Sequence, residues 1–247
     1  MVSENLNLGK EQEVPEFGNS EWECLINASQ AFGRITYQGI CVVDLVTKSM
    51  PYVSENMEKW YGVSPQRIKR AGLGFYLEKI PSEERTVLKE VNQKGLDFFN
   101  KLPVEERMNY VLVYDFHVVC GGKRRLVRHS LTSMALAKNG QVRLVLCSVS
   151  LSPRQSIGRY MIRRVGTGTS FEYSLDRHCW VKRARAMLSK MEHDVLSLSA
   201  QGFSITAIAH RLCRSEDAIK SCRKKIFLKL DVENITSALA VARSESL

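Results

Sequence analysis

Apolar residues along the chain follow a helical period, then a strand period, then a helical one again. Over Ser20–Gly33, Trp22, Leu25, Ile26, Ser29 and Phe32 fall near one face and predict a short amphipathic helix. Ile40–Val46 and Met50–Val53 are β-branched runs separated by Thr47, Lys48 and Ser49, the pattern of a hairpin. Small helices follow: Ser54–Tyr61 carries Met57, Trp60 and Tyr61, and Ser64-Pro65 opens the next with Pro at its first position. Ser82–Asn100 repeats Val87, Leu88, Val91, Leu96 and Phe99 at roughly the helical period. Past Pro103 the pattern changes to strand over Asn109–Val119, Arg124–Ala137 and Gln141–Ser150. Gly121-Gly122 and Asn139-Gly140 mark the turns between them, and Asn-Gly is a strong hairpin signal. Gly158–Val165 and Ser170–Tyr173 can pair across 166–169, and Asp176–Ala186 reads as a loop or the start of a helix. From Leu188 the helical period returns in four short segments.

The order of two strands, short helices and a three-stranded meander, over residues 34–151, resembles a PAS domain. The local text agrees: "GICVVDLVTKSMPYVSENMEKWYGVSPQRI" has the strand-borne Asp, the Tyr-x-Ser and the Gly-x-Ser-Pro turn. "FYLEKIPSEERTVL" places Ile80, Pro81, Ser82 and Glu83 where the family usually reads His-Pro-Asp-Asp. The resemblance implies space for a small ligand between sheet and helices, with Tyr52, Trp60, Tyr61, Phe75 and Tyr76 as candidate lining. Core packing is the preferred reading of those five. The flavin-adduct Cys motif is missing and no His stands in 54–100 for haem, so no cofactor is expected beyond an unidentified small ligand.

The C-terminal segment carries more specific signals. Ser189-Lys190-Met191-Glu192 fits a capping box. Gly202 stops that helix, Ser204 caps a second, and Ser215 caps a third whose first turn holds Glu216 and Asp217. In the third helix Ile219, Cys222, Ile226 and Leu230 recur on one side, leaving Lys220, Ser221, Arg223, Lys224 and Lys225 on the other. Two helices joined by a tight turn, the second basic outside, form a helix-turn-helix whose second helix suits the major groove.

Residues 188–242 resemble the LuxR-type helix-turn-helix. They supply Leu188, Ser189, Glu192, Val195, Leu196, Gly202, Ser204, Ile208, Ala209, Leu212, Ser215, Ile219, Lys220, Ile226, Lys229, Leu230 and Ala238 at that family's spacing. Ala207, Ala218 and Cys222 depart from its usual Glu, Thr and His. The resemblance assigns DNA contact to Lys220, Ser221 and Lys224, with Lys220 on phosphate and the other two nearest base edges. Arg223, Lys225, Arg214 and Ser215 are further DNA-binding candidates. The fourth helix, near Asn234–Arg243, serves either dimerisation or closure of the core.

Charge sharpens this picture. The 247 residues carry 36 Lys+Arg against 26 Asp+Glu, a net charge of +10. The window Lys182–Lys229 has eleven basic and four acidic residues, so most of the surplus sits where a polyanion would bind. Residues 1–23 instead hold six acids against Lys10. That acidic start is unlike a signal peptide, and Leu144–Leu151, the longest apolar stretch, is far short of the roughly 20 residues that span a bilayer. Seven scattered cysteines without a C-x-x-C pair read as reduced thiols in a cytoplasm.

No Gly-x-Ser-x-Gly, P-loop or dinucleotide fingerprint appears. His117-x-x-Cys120 has no second pair at ligand spacing, so neither an enzyme nor a metal site is expected. The expectation is an α+β protein: a PAS-like antiparallel sheet with short helices, then an all-α four-helix LuxR-type domain. It divides into an acidic leader (1–18), a PAS-like sensor or dimerisation domain (19–151), a basic connector with a possible β-hairpin (152–187) and the helix-turn-helix (188–247). The function expected is a cytoplasmic bacterial one-component regulator, a homodimer on double-stranded DNA with RNA polymerase as a further partner and no membrane contact. The alternatives are an acyl-homoserine-lactone receptor, whose Trp/Tyr/Asp-Pro constellation is missing, and a scaffold that binds protein instead of DNA.

Overall fold

A computed structural model describes residues 19–184 and 188–245. The acidic leader, 1–18, lies outside the described residues, as do 185–187 and 246–247. The chain forms two compact units. One comprises residues up to 152 together with 156–183; the other comprises 153–155 together with residues from 184 onward.

The first unit starts with α1 (Asn19–Ile35), then β1 (Gly39–Asp44) and β2 (Ser49–Val53). Four helices follow: α2 (Asn56–Tyr61), α3 (Pro65–Ala71), α4 (Gly74–Lys79) and α5 (Ser82–Lys101). The meander is β3 (Tyr110–Cys120), β4 (Lys123–Leu136) and β5 (Val142–Leu151). The sheet order begins β2-β1-β5-β4-β3, with antiparallel pairing throughout, which is the PAS arrangement. The Asp44 carboxylate accepts from the Val46 and Thr47 amides at 2.9 and 3.2 Å, an Asx turn that bends the first hairpin. Gly121 and Gly122, both at positive φ, close the β3–β4 hairpin directly between the paired residues Cys120 and Lys123. Asn139-Gly140 does not form the expected two-residue turn. The Gly140 amide donates to the Ala137 carbonyl at 2.8 Å and only Gly140 turns left-handed, giving a three-residue loop.

One sheet face carries Tyr110, Leu112, Tyr114, Phe116 and Val118 beneath α2–α5, and this is the main core. The opposite face carries Ile40, Val42, Tyr52 and Leu144, covered by Trp22, Leu25 and Ile26 of α1.

The sheet does not end at β5. The stretch expected to be a connector supplies β6 (Tyr160–Arg164), β7 (Thr169–Ser174) and β8 (Cys179–Ala184), which extend the order as β3-β6-β7-β8. Within Asp176–Ala186, read as loop or helix start, Cys179–Ala184 is strand, and 185–186 lie outside the described residues. These strands are held by packing on α5: Phe171 meets Phe98 at 4.8 Å, Trp180 meets Tyr173 at 5.0 Å, and Trp180 Nε1 donates to the Lys94 carbonyl at 2.9 Å.

The second unit holds α6 (Lys190–Ala200), α7 (Ile205–Arg211), α8 (Glu216–Leu230) and α9 (Ile235–Glu245) around one core. Val195, Ile208, Ile219, Ile226, Ala238 and Val241 are fully enclosed there. The buried face of α9 thus closes this core. Among the described residues no helix is long and apolar enough to cross a membrane.

Candidate nucleic-acid interface

Caps and turns fix the site before any side chain faces outward. At α6 the Ser189 Oγ accepts from the Glu192 amide at 3.3 Å while the Glu192 carboxylate accepts from the Ser189 amide at 2.7 Å, a complete capping box. Gly202 (φ +84°) ends α6: its amide donates to the Ser199 carbonyl and that of Phe203 to Leu198, a Schellman motif. Ser204 and Ser215 cap α7 and α8 by accepting from Ala207 and Ala218 amides, each at 3.2 Å. The elbow between α7 and α8 repeats the Schellman pattern with Cys213 at the left-handed position, φ +52°.

This elbow borders an open depression of about 800 Å³ lined by Ala209, His210, Cys213, Arg214, Ser215 and Ala218. Across it the Thr206 hydroxyl donates to the Glu216 carboxylate at 2.7 Å, tying the start of α7 to that of α8. Arg211 lies over the Phe203 ring at 4.0 Å. Sequence reading missed both contacts, and no local motif marks them.

On α8 the two faces are distinct. Ile219, Cys222, Ile226 and Leu230 are buried; Lys220, Ser221, Lys224 and Lys225 are exposed. Lys220 pairs with Asp217 one turn earlier at 3.1 Å, an exposed contact that water and salt weaken. Arg214 and Ser215 are exposed at the elbow, although the Ser215 hydroxyl already serves as a cap. Arg223 leans the other way, its Nη2 donating to Ser199 Oγ of α6 at 3.4 Å. Leu228 stands 82% exposed one turn beyond Lys224 and Lys225, an apolar group on the cationic face.

Two charged contacts set the pose of α8. Lys229 Nζ donates to Glu192 Oε2 at 2.7 Å. Burial works against charge on Glu192, yet Lys229 and the Ser189 cap outweigh it and hold that carboxyl below its usual range. Arg154, its side chain only 5% exposed, donates to the Leu230 and Asp231 carbonyls at 3.3 and 3.1 Å and pairs with the Asp231 carboxylate at 3.2 Å. It therefore protects the C-terminal end of α8 although it precedes the helix by some sixty residues in sequence.

In the first unit, three of the five candidate pocket residues come together. Tyr61 meets Phe75 and Tyr76 at ring distances of 5.0 and 5.8 Å. His129, which sequence reading missed, joins them: its Nε2 is 2.6 Å from Tyr61 Oη and burial pushes its pKa down to about 3. Trp60 packs at the margin of this core, whereas Tyr52 sits in the cluster under α1 on the other sheet face. His117 is occupied by Glu84 at 2.7 Å, and Cys120 Sγ lies where a Cβ on Gly62 would fall. Among the described residues no three His, Cys, Asp or Glu side chains gather as metal ligands.

The family described as bacterial regulatory proteins, luxR family, matches residues 186–242. No curated protein matches the chain. Among solved structures, a Vibrio cholerae VqmA dimer in the absence of target DNA aligns over 92% of this chain and 88% of its own, at 13% identity and a TM-score of 0.36. A PAS domain from Colwellia psychrerythraea aligns over 53% of this chain and 96% of its own, at 14% identity and a TM-score of 0.36. The response regulator ChrA of a heme-sensing two-component system is 34% identical over 26% of this chain and 32% of its own, with a TM-score of 0.25. Residues 186–242 thus carry the match to the luxR family and fold as a helix-turn-helix, the kind of module that binds duplex DNA.

Proposed function

We propose that the chain is a cytoplasmic one-component regulator that binds duplex DNA as a homodimer. Its PAS-like unit modulates how two C-terminal modules meet paired half-sites. The observation that carries this reading is the division of α8 into a buried apolar face and an exposed face of Lys220, Ser221, Lys224 and Lys225. A helix of this kind fits the major groove, where small polar and cationic groups reach base edges while flanking lysines reach phosphates. Lys220 then exchanges Asp217 for a phosphate; Ser221 and Lys224 face bases. Arg214, at the elbow, and Lys225 supply further backbone contacts. Arg223, turned toward α6, contributes less, and Ser215 acts chiefly as the cap. Two such modules in a dimer present their α8 helices about one DNA turn apart, and RNA polymerase is the partner through which occupancy would alter transcription.

The test is a mobility shift of Lys220→Ala combined with Lys224→Ala across a salt series. Losing the phosphate contact of Lys220 in each of the two protomers, together with the base contacts of Lys224, should weaken binding and make the slope of log K against log salt shallower by about 2. A double variant indistinguishable from the parent would remove both residues from the interface.

A further inference from the structure

Cys41 of β1 and Cys147 of β5 stand directly opposite each other across two paired strands, on the sheet face covered by α2–α5. The Ser54 amide donates to the Ile40 carbonyl on the β2 side, so the backbone of the next residue, Cys41, faces β5. At such a hydrogen-bonded position Cα atoms lie about 5.5 Å apart, inside the Cα span of roughly 4.4–6.8 Å that a disulfide bridges, and forming the bond draws the Cβ atoms in to about 3.5–4.5 Å. Around them stand Tyr76 Oη, 3.3 Å from Cys41 Sγ, and His129 Nδ1, 3.6 Å from Cys147 Sγ. These polar groups are confined to an otherwise apolar core, and DNA binding uses none of them.

The pair is chemically unequal. Cys147 beside it and the Tyr76 hydroxyl hold the Cys41 thiol below its usual range despite burial, whereas the nearness of Cys41 and burial push the Cys147 thiol up. Tyr61, Tyr76 and Tyr114 are pushed up by burial, and His129 is neutral, so no fixed charge competes for the site. Cys41 is 0% and Cys147 1% exposed, in the core that α2–α5 cover. Helices α2, α3 and α4 have six or seven residues each and depend on their packing. Elements of that kind open locally far more often than the whole domain unfolds.

We propose that Cys41 and Cys147 are a redox pair, which a small hydroperoxide converts into a cross-strand disulfide between β1 and β5. The Cys41 thiolate attacks the terminal peroxide oxygen; the O–O bond breaks and the departing alkoxide or hydroxide takes up a proton, leaving a sulfenic acid. The Cys147 sulfur then attacks Cys41 sulfur. The S–S bond forms, the S–O bond breaks, and the hydroxide leaves as water with the Cys147 proton. Two thiols and one hydroperoxide give one disulfide, one alcohol or water and one further water, a two-electron oxidation. This chemistry is independent of what α8 binds.

The experiment is peptide mapping of the full-length folded protein after hydrogen peroxide, with the remaining thiols alkylated under denaturing conditions. Two of the seven thiols should be lost to a single linked peptide pair containing Cys41 and Cys147, and dithiothreitol should restore both. In Cys147→Ser, oxidation should stop at Cys41 as a sulfenic acid captured by dimedone; in Cys41→Ser, Cys147 should stay reduced. The proposal is overturned if Cys41 and Cys147 both remain alkylatable once peroxide has oxidised the exposed Cys213. A link that forms only in protein unfolded by urea overturns it equally, and the unsubstituted protein alone decides between these outcomes.

Discussion

Cys213 holds the elbow of the helix-turn-helix in a left-handed conformation that a side chain disfavours by about 1–2 kcal/mol. Cys213→Gly removes that strain, part of which returns because glycine frees the unfolded chain. A net gain of about 0.5 kcal/mol in the C-terminal unit is expected, read as a higher midpoint in thermal unfolding; a lower midpoint would show that the thiol makes a contact worth more than the strain. Glu192 gives a pH-dependent counterpart. Its folded pKa is depressed, so the stability it adds is in place above its unfolded value of about 4.3 and disappears as pH falls through the lower folded value. Lys229→Met should cost about 1–2 kcal/mol at neutral pH, a loss that shrinks toward zero in acid, and urea titrations at several pH values measure it. A loss that did not vary with pH would mean the stem of Lys229 packs and its charge is idle. At this scale the caps were legible, because Ser-x-x-Glu brings its own partners within one turn. The Glu192–Lys229 and Thr206–Glu216 contacts were not, since only packing between helices unites residues 37 and 10 positions apart.

The helices of the C-terminal unit emerge where their apolar period and caps place them, because both signals are local. The β6–β7 hairpin was legible as Gly158–Val165 against Ser170–Tyr173, but its junction with the main sheet, and β8, were hidden for the opposite reason. The main-sheet partner of β6 lies far back in the chain, Tyr160 pairing with Tyr114, and Arg159, Arg163 and Arg164 break up the apolar alternation. Helix α4 escaped notice too, being six residues with no side-chain cap. Of the aromatic candidates, spacing could group Tyr61, Phe75 and Tyr76 on the helical segment, but it could not show that the pleat turns Tyr52 toward α1. Strand β8 is tied to α5 by Trp180. Trp180→Ala should lose the ring contacts and the Lys94 bond, costing about 2 kcal/mol for this half-buried side chain. Hydrogen exchange should then show amides of β8 losing protection ahead of β3. Unchanged protection would mean that backbone pairing alone retains the strand.

For the whole molecule, a net charge of +10 marks only an affinity for polyanions, and its distribution is what gives direction. Residues 160–184, which carry β6–β8, hold a surplus of +3 inside the extended sheet, and α8 holds another +3. Cations are thus built into the sheet of the first unit as well as along the exposed face of α8.

Arg154 has a practical consequence for where such a protein can be cut. The matched region opens at residue 186, yet the carbonyls that end α8 are satisfied from residue 154. A fragment trimmed to the matched region would expose them, and Arg154→Ala imitates that trimming without shortening the chain. About 1–3 kcal/mol of stability should leave the C-terminal unit, with the last turn of α8 fraying first by hydrogen exchange. If that turn stayed protected, water would be replacing the guanidinium without penalty. Sequence similarity thus traces the recognition module to one starting point, and hydrogen bonding traces it to an earlier one.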